Sequence, residues 1–270
     1  MTLLVEALGT CARVCVDDLE LAADVSRLLD PMRRRVESCA PRHHYTYGKA
    51  EHDRDDQWRL ERDGVPLLVS RRSPRMVPVL VNDLNREAIA ACQSPAVHAG
   101  AVALGERAVL FPAVSGTGKS TMVAACVAAG FSYLTDEAVA FDDDLTAHPY
   151  PKPIALSPES LRLLRLPPLD GPGRSPKRLL TADDLGGRTE RAQLDVGHIV
   201  LLERTAGDAE LRPSEASTAA AALLSLSFNH FKDPVGAFDV ASGIAQRATS
   251  WTLSAGDPRA AADLLVRALS

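Results

Sequence analysis

Residues 113 to 121, Ala-Val-Ser-Gly-Thr-Gly-Lys-Ser-Thr, have the composition of a loop that can wrap phosphate groups. Gly116 and Gly118 permit a tight backbone and leave N–H groups facing an anion without a Cβ in the way. Lys119 can set a point charge on the β and γ phosphates, and Ser120 can offer its hydroxyl to Mg²⁺. The helix that begins there adds the positive end of its dipole. The stretch follows a G-x-x-x-x-G-K-[ST] pattern with Ala113 at the first glycine position, between a hydrophobic strand and a helix, the context that gives the pattern mechanical meaning. Ser115, Gly116, Thr117, Gly118, Lys119, Ser120 and Thr121 are therefore the expected nucleotide-binding residues, and ATP or GTP the expected ligand.

A phosphate loop alone does not say what accepts the phosphoryl group, so a proton acceptor is needed. Asp136 and Glu137 stand seventeen and eighteen residues after Lys119, past the helix and before a strand at 138 to 141, where they could face the γ-phosphate. One carboxylate can hold metal while the other takes a proton. The same pair also reads as an exposed acidic turn between strands, as Asp142, Asp143 and Asp144 do. His98, twenty-one residues ahead of Lys119, reads on spacing alone as a packed core histidine. Glu203 ends a buried strand in the manner of a Walker B acid, and reads equally as a surface residue.

Taken together, His98-Ala-Gly, then Ala-Val-Ser-Gly-Thr-Gly-Lys-Ser, then Gly130-x5-Asp136-Glu137-Ala-Val resemble the catalytic core of HPr kinase/phosphorylase and the HPr-kinase-related kinases of bacterial peptide-modifying gene neighbourhoods. The resemblance covers roughly residues 92 to 205 and includes a strand ending in Leu-Glu. It implies a P-loop HPr-kinase-like core over residues 91–270, with ATP and Mg²⁺ as cofactors. It also implies catalytic roles for Asp136, which would take the proton of a serine hydroxyl, for His98, which would support that aspartate, and for Lys119. Ser120 and Glu137 would hold the metal. Three positions depart from the family pattern: Ala113 for glycine, Thr121 for glutamate, and Glu137 for a second aspartate. No copy of the family's glycine-rich phosphorolysis signature is present, so the resemblance implies the kinase direction. The implied acceptor is a peptide or protein with an accessible serine, followed by a small hydroxyl compound. The competing class is a P-loop NTPase switch that hydrolyses ATP; neither an LSGGQ-type signature nor an NKxD-type guanine motif accompanies the loop.

Positioning these groups requires an α/β core. Residues 107 to 112 read as a buried strand, 119 to 129 as a helix ended by Gly130, and 138 to 141 and 196 to 203 as strands; the order suggests a mainly parallel sheet. Residues 158 to 165, 214 to 227 and 258 to 269 read as helices, the last opened by Asp257-Pro258. Upstream, residues 1–90 read as a small α+β region with a possible substrate or assembly role. It has β-like stretches at 3–8, 12–16, 57–63, 65–70 and 76–81, one helix from Leu19 to Arg35, and a polar surface loop from Pro41 to Gln57. A proline- and glycine-rich loop at 167 to 178 carries Arg174, Lys177 and Arg178, which could hold an anionic substrate.

The chain has 270 residues, 46% hydrophobic and 24% charged, with 30 basic against 35 acidic side chains. That is enough for one large or two small soluble domains, and the net charge of -5 argues against a partner held by a whole-domain positive field. No nucleic-acid and no membrane partner is expected, and a homo-oligomer is left open. The first residues lack a basic n-region and carry acids by Asp17, which reads as cytoplasmic. Cys11, Cys15, Cys39, Cys92 and Cys126 show no zinc spacing and are expected to be reduced thiols.

Overall fold

The computed structural model describes residues 1–34, 39–49, 57–71, 76–168 and 177–269. At the N-terminus β1 (Thr2–Ala7) and β2 (Thr10–Val16) form a hairpin turned by Leu8 and Gly9, both in the left-handed region, as a two-residue turn matched to strand twist requires. Helix α1 (Leu19–Leu29) then carries the chain over, and β3 (His43–Lys49) lies parallel to β2. With β4 (Trp58–Arg62) and β5 (Val65–Ser70) the sheet runs in the order β1-β2-β3-β4-β5. Helix α2 (Met76–Ala91) joins α1 over it: Val25, Leu28, Leu29, Leu80 and Leu84 share one apolar cluster with Val14, Tyr45, Tyr47 and Leu60.

Three expectations for this region are corrected. The segment inside the supposed polar loop, His43–Lys49, is a strand in the middle of the sheet. Its period of two is written in Tyr45 and Tyr47, both fully buried, against exposed His44 and Thr46, so a polar composition hid a strand pattern. Residues 50–56 lie outside the described residues. Residues 76 to 81 open α2 rather than form a strand: Val77, Leu80, Val81, Leu84 and Ala88 keep helical spacing, and Pro78 sits in the first turn, where its missing N–H is not needed. Finally, Cys11 and Cys39 form a disulfide, with Cα atoms 6.4 Å apart, where the chain returns from α1 towards β3 beside β2. Cys15, Cys92 and Cys126 are free, the last two buried.

The site residues sit on β6 (Ala96–Leu104), β7 (Arg107–Pro112), α3 (Lys119–Ala128), β8 (Ser132–Thr135) and β9 (Ala138–Phe141). A connecting region follows with β10 (Ala147–His148), β11 (Ile154–Leu156), α4 (Pro158–Leu163), β12 (Arg178–Leu180) and β13 (Arg188–Thr189). Then come β14 (Asp195–Arg204), β15 (Glu210–Pro213), α5 (Ala216–Ser225), α6 (Pro234–Arg247), β16 (Thr249–Ala255) and α7 (Pro258–Leu269). The second sheet has the order β10-β9-β6-β7-β14-β16-β15, with β8 paired to both β6 and β13. It is mixed, not mainly parallel: β7, β14 and β16 run parallel, whereas β6 is antiparallel to β7, β8 and β9. The reason is local. Only Gly105 and Glu106 join β6 to β7, enough for a hairpin and far too few for the crossover that a parallel pair needs.

Helices cover both faces of this sheet. On β7, Val109 and Phe111 cluster with Met122, Val123 and Val127 of α3 and Leu265 of α7. The alternate residues, Ala108 and Leu110, cluster with Leu223 of α5 and Ile244 of α6. This alternation turns a strand buried on both sides into a fixed support for the loop that follows it. As expected, α7 begins at Pro258, and the Asp257 carboxylate accepts the N–H of Arg259 at 2.8 Å. The two sheets also meet: Ala138 and Tyr150 belong to the apolar cluster under the N-terminal sheet. Among the described residues no helix is long and apolar enough to cross a membrane.

Candidate functional site

Between Pro112, the end of β7, and Lys119, the start of α3, the loop turns through Gly116 at φ 89° and Gly118 at φ 103°. Both angles lie in the region that a Cβ disfavours, so the two glycines are there for their backbone. Ala113 has no positive φ and is buried, so alanine at this position carries no backbone strain. No side chain caps α3 at Gly118, which leaves the first-turn N–H groups of α3 open to an anion.

Strands β8 and β9 pair with the same edge of β6, Thr135 opposite Ala101 and Ala138 opposite His98. Asp136 and Glu137 lie between the two strands and line one cleft with the phosphate loop that follows β7 on the other side of β6. Gly100 makes room for α3 against β6: a Cβ there would meet Val123 Cγ2 at 2.6 Å and Lys119 Cγ at 3.0 Å. Gly100→Ala is accordingly expected to push the first turn of α3 off β6, costing about 1–3 kcal/mol of stability and weakening ATP binding. Thermal melts and calorimetry check this; an unchanged Tm together with an unchanged Kd would contradict it.

Asp136 is 2% exposed, too buried for the acidic-turn reading. Its Oδ1 takes a salt bridge from Lys152 Nζ at 2.7 Å and the Tyr133 hydroxyl at 3.2 Å. Burial alone would raise this carboxyl; the ammonium of Lys152 and hydrogen bonds from Lys152 and Ser120 outweigh it and hold Asp136 below the usual carboxylate range. Asp142 makes the turn expected of it, accepting the Thr146 N–H at 2.9 Å, with Asp143 and Asp144 exposed.

Lys119 is also buried, 5% exposed, and hydrogen-bonds His98 Nε2 at 2.6 Å. With the ammonium donating to Nε2, a neutral imidazole carries its proton on Nδ1. That atom faces Glu137 Oε1 at 3.6 Å, beyond a hydrogen bond. Burial, followed by the charge of Lys119, pushes the imidazole below its usual range. His98 thus touches Lys119 and stands near Glu137, while the side chains in direct polar contact with Asp136 are Lys152 and Tyr133.

Burial lowers the Lys119 ammonium to about 8. A free protein that loses this charge above that pH should bind ATP progressively less well, approaching about tenfold per pH unit. Lys119→Arg, whose guanidinium does not titrate there, should flatten the profile. Wild-type affinity that stays level between pH 7 and 9.5 would contradict this.

His98, Lys119, Asp136 and Glu137 line a cleft of about 430 Å³ together with Ser157, Glu159, Ser160, Lys177 and Arg204. Thr121 Oγ1 meets Ser160 Oγ at 2.8 Å, joining α3 to α4 at the lining of the cleft. Arg174 and Gly171 to Pro176 lie outside the described residues; Lys177 reaches the cleft, and Arg178 donates to the Pro167 carbonyl at 3.3 Å. Glu203 lines the same cleft with a side chain 58% exposed and pairs with Arg212 at 3.1 Å, which leaves both of its readings standing. Among the described residues no three His, Cys, Asp or Glu gather as a metal cluster. The Ser120 hydroxyl and the Glu137 carboxylate, which line the same cleft, nonetheless offer the hard oxygen donors that suit Mg²⁺ when phosphates and water fill its remaining positions.

Sequence reasoning missed Lys152 and Tyr133. Lys152 sits in Pro149-Tyr-Pro-Lys-Pro153, where it is 5% exposed. The available signal was a lysine in a proline-stiffened stretch downstream of an acidic pair. No protein-family model matches the chain, and no curated protein matches it.

Proposed function

We propose that the protein is an ATP-dependent kinase that transfers the γ-phosphate to a hydroxyl, with serine of a peptide or protein as the favoured acceptor. The observation that carries this reading is the convergence of Lys119 and Asp136, on different elements, at one cleft under the phosphate loop. The resemblance of the His98, loop and Asp136-Glu137 segments to HPr-kinase-like enzymes supports the choice of acceptor.

In this reading the N–H groups of 115 to 121 and the Lys119 ammonium hold the β and γ phosphates. Bound through Ser120 and Glu137, Mg²⁺ would supply further neutralisation of phosphate charge. Asp136 orients the acceptor hydroxyl and takes its proton as the oxygen attacks phosphorus and the bond to the ADP oxygen breaks. A carboxylate held ionised by Lys152 is a weak base, and that suffices: the transition state of phosphoryl transfer is loose, so orientation counts for more than basicity. His98, by contacting Lys119, sets the resting position of the ammonium before nucleotide enters.

The test is ADP release in the presence of ATP, Mg²⁺ and serine-containing peptides, against matched peptides with alanine in place of serine. Stimulation by the serine set is expected. A basal rate indifferent to every hydroxyl acceptor would favour a nucleotide-hydrolysing switch with water as the acceptor.

A further inference from the structure

We propose that Lys152 is a positioning residue for phosphoryl transfer, fixing the rotation of the Asp136 carboxylate so that it faces Ser120 and the cleft. This rests on the kinase reading of the site. Asp136 lines the cleft, whereas neither Lys152 nor Tyr133 does, so both approach the carboxylate from behind. Lys152 Nζ pairs with Oδ1 at 2.7 Å, and the Tyr133 hydroxyl, whose single proton is shared with the Lys152 carbonyl at 2.8 Å, stands 3.2 Å from the same oxygen. The ammonium at 2.7 Å, with the shared hydroxyl proton beside it, restricts the terminal torsion, which is otherwise broad in an aspartate. The second oxygen is left for the cleft.

The local chain is built to hold the lysine there. Pro151 and Pro153 fix φ on both sides of Lys152, and the residue before each proline is kept extended. The segment is tied along β8: Tyr150 N–H donates to the Leu134 carbonyl at 3.1 Å, and the Tyr133 hydroxyl donates to the Lys152 carbonyl at 2.8 Å. The Tyr133 hydroxyl thus lies between Asp136 and the backbone of Lys152, sharing its proton between them. The ammonium also donates to the Pro153 carbonyl at 3.3 Å and stands 4.0 Å from Glu137 Oε2. A buried ammonium needs such partners. Here the partners are the two acids of the site, and a purely structural pair would have no reason to include the carboxylate that faces the cleft.

Lys152→Met and Lys152→Arg test this, each alone and with Asp136→Asn, with ATP hydrolysis and ATP binding as readouts. In Lys152→Met, kcat should fall at least tenfold while the Kd for ATP with Mg²⁺ moves less than threefold, and Lys152→Arg should recover most of the loss. In the Asp136→Asn background Lys152→Met should cost nothing further, because its whole effect passes through that carboxylate. A folded Lys152→Met protein with wild-type kcat, or an equal cost in both backgrounds, would overturn the proposal. Should Lys152→Met fail to fold, the Arg variant and the double variant, which carries neither charge, still decide it: Lys152→Arg should keep kcat within about tenfold, and adding Lys152→Met to Asp136→Asn should leave kcat unchanged. A crystal structure of the Lys152→Met or double variant reads the rotation directly. The side chain at 136 should turn away from Ser120, and one that keeps the wild-type orientation overturns the proposal whether or not the wild type proves to be a kinase.

Discussion

Asp136→Asn is expected to bind ATP with Mg²⁺ about as well as wild type and to transfer phosphate roughly 10²- to 10⁴-fold more slowly, the usual cost of losing a positioned general base. The amide has the same shape but cannot take the hydroxyl proton. Its neighbours sharpen the expectation: Lys152 pairs with Oδ1 at 2.7 Å and the Tyr133 hydroxyl stands 3.2 Å from it, and a side-chain amide oxygen can still accept there, so the fold around position 136 has partners to keep. Calorimetry for binding and a transfer rate at saturating ATP and acceptor separate the two effects. Transfer at the wild-type rate would remove Asp136 from the reaction.

Lys119→Ala should act on the other half of the site. Removing the one buried cation that the phosphate loop carries is expected to cost about 2–5 kcal/mol of interaction with the phosphates, a weakening of ATP binding of roughly 30-fold to several thousand-fold. It also removes the partner of His98 Nε2, 2.6 Å away, so the histidine should become easier to protonate: the neighbouring positive charge that holds it down is gone. A titration of the His98 ring by NMR should therefore move upward in Lys119→Ala. Unchanged ATP affinity would remove the phosphate-loop assignment.

What could be read from sequence follows how local its cause is. The loop was legible because strand, glycines, lysine and helix lie within fifteen residues and each demands its own residue type; Gly116 and Gly118 have the positive φ that the pattern implies. The burial of Asp136 was not legible, since it arises only when β8 and β9 share the edge of β6. The same holds for Lys152, sixteen residues on, which meets Asp136 only because Tyr150 is pinned to β8. The mixed sheet was within reach: Gly105-Glu106 between two strands is a hairpin signal that a helix-strand alternation overshadowed. In β3, histidine and threonine on the outer face masked the two tyrosines that fix its register. The pairing of Cys11 with Cys39 depends on the parallel return of β3 to β2, which no spacing encodes.

The central claim is that this cleft moves a phosphoryl group from ATP to a hydroxyl with Asp136 as the acceptor of the proton. Its most direct test is a single turnover with γ-labelled ATP and a serine peptide that stimulates ADP release, run on wild type and Asp136→Asn under conditions where both are saturated. The expected result is label on the serine oxygen in the wild type, with the label still on bound ATP in the variant over the same interval. Label recovered only as inorganic phosphate, or transferred equally fast by both proteins, would contradict it.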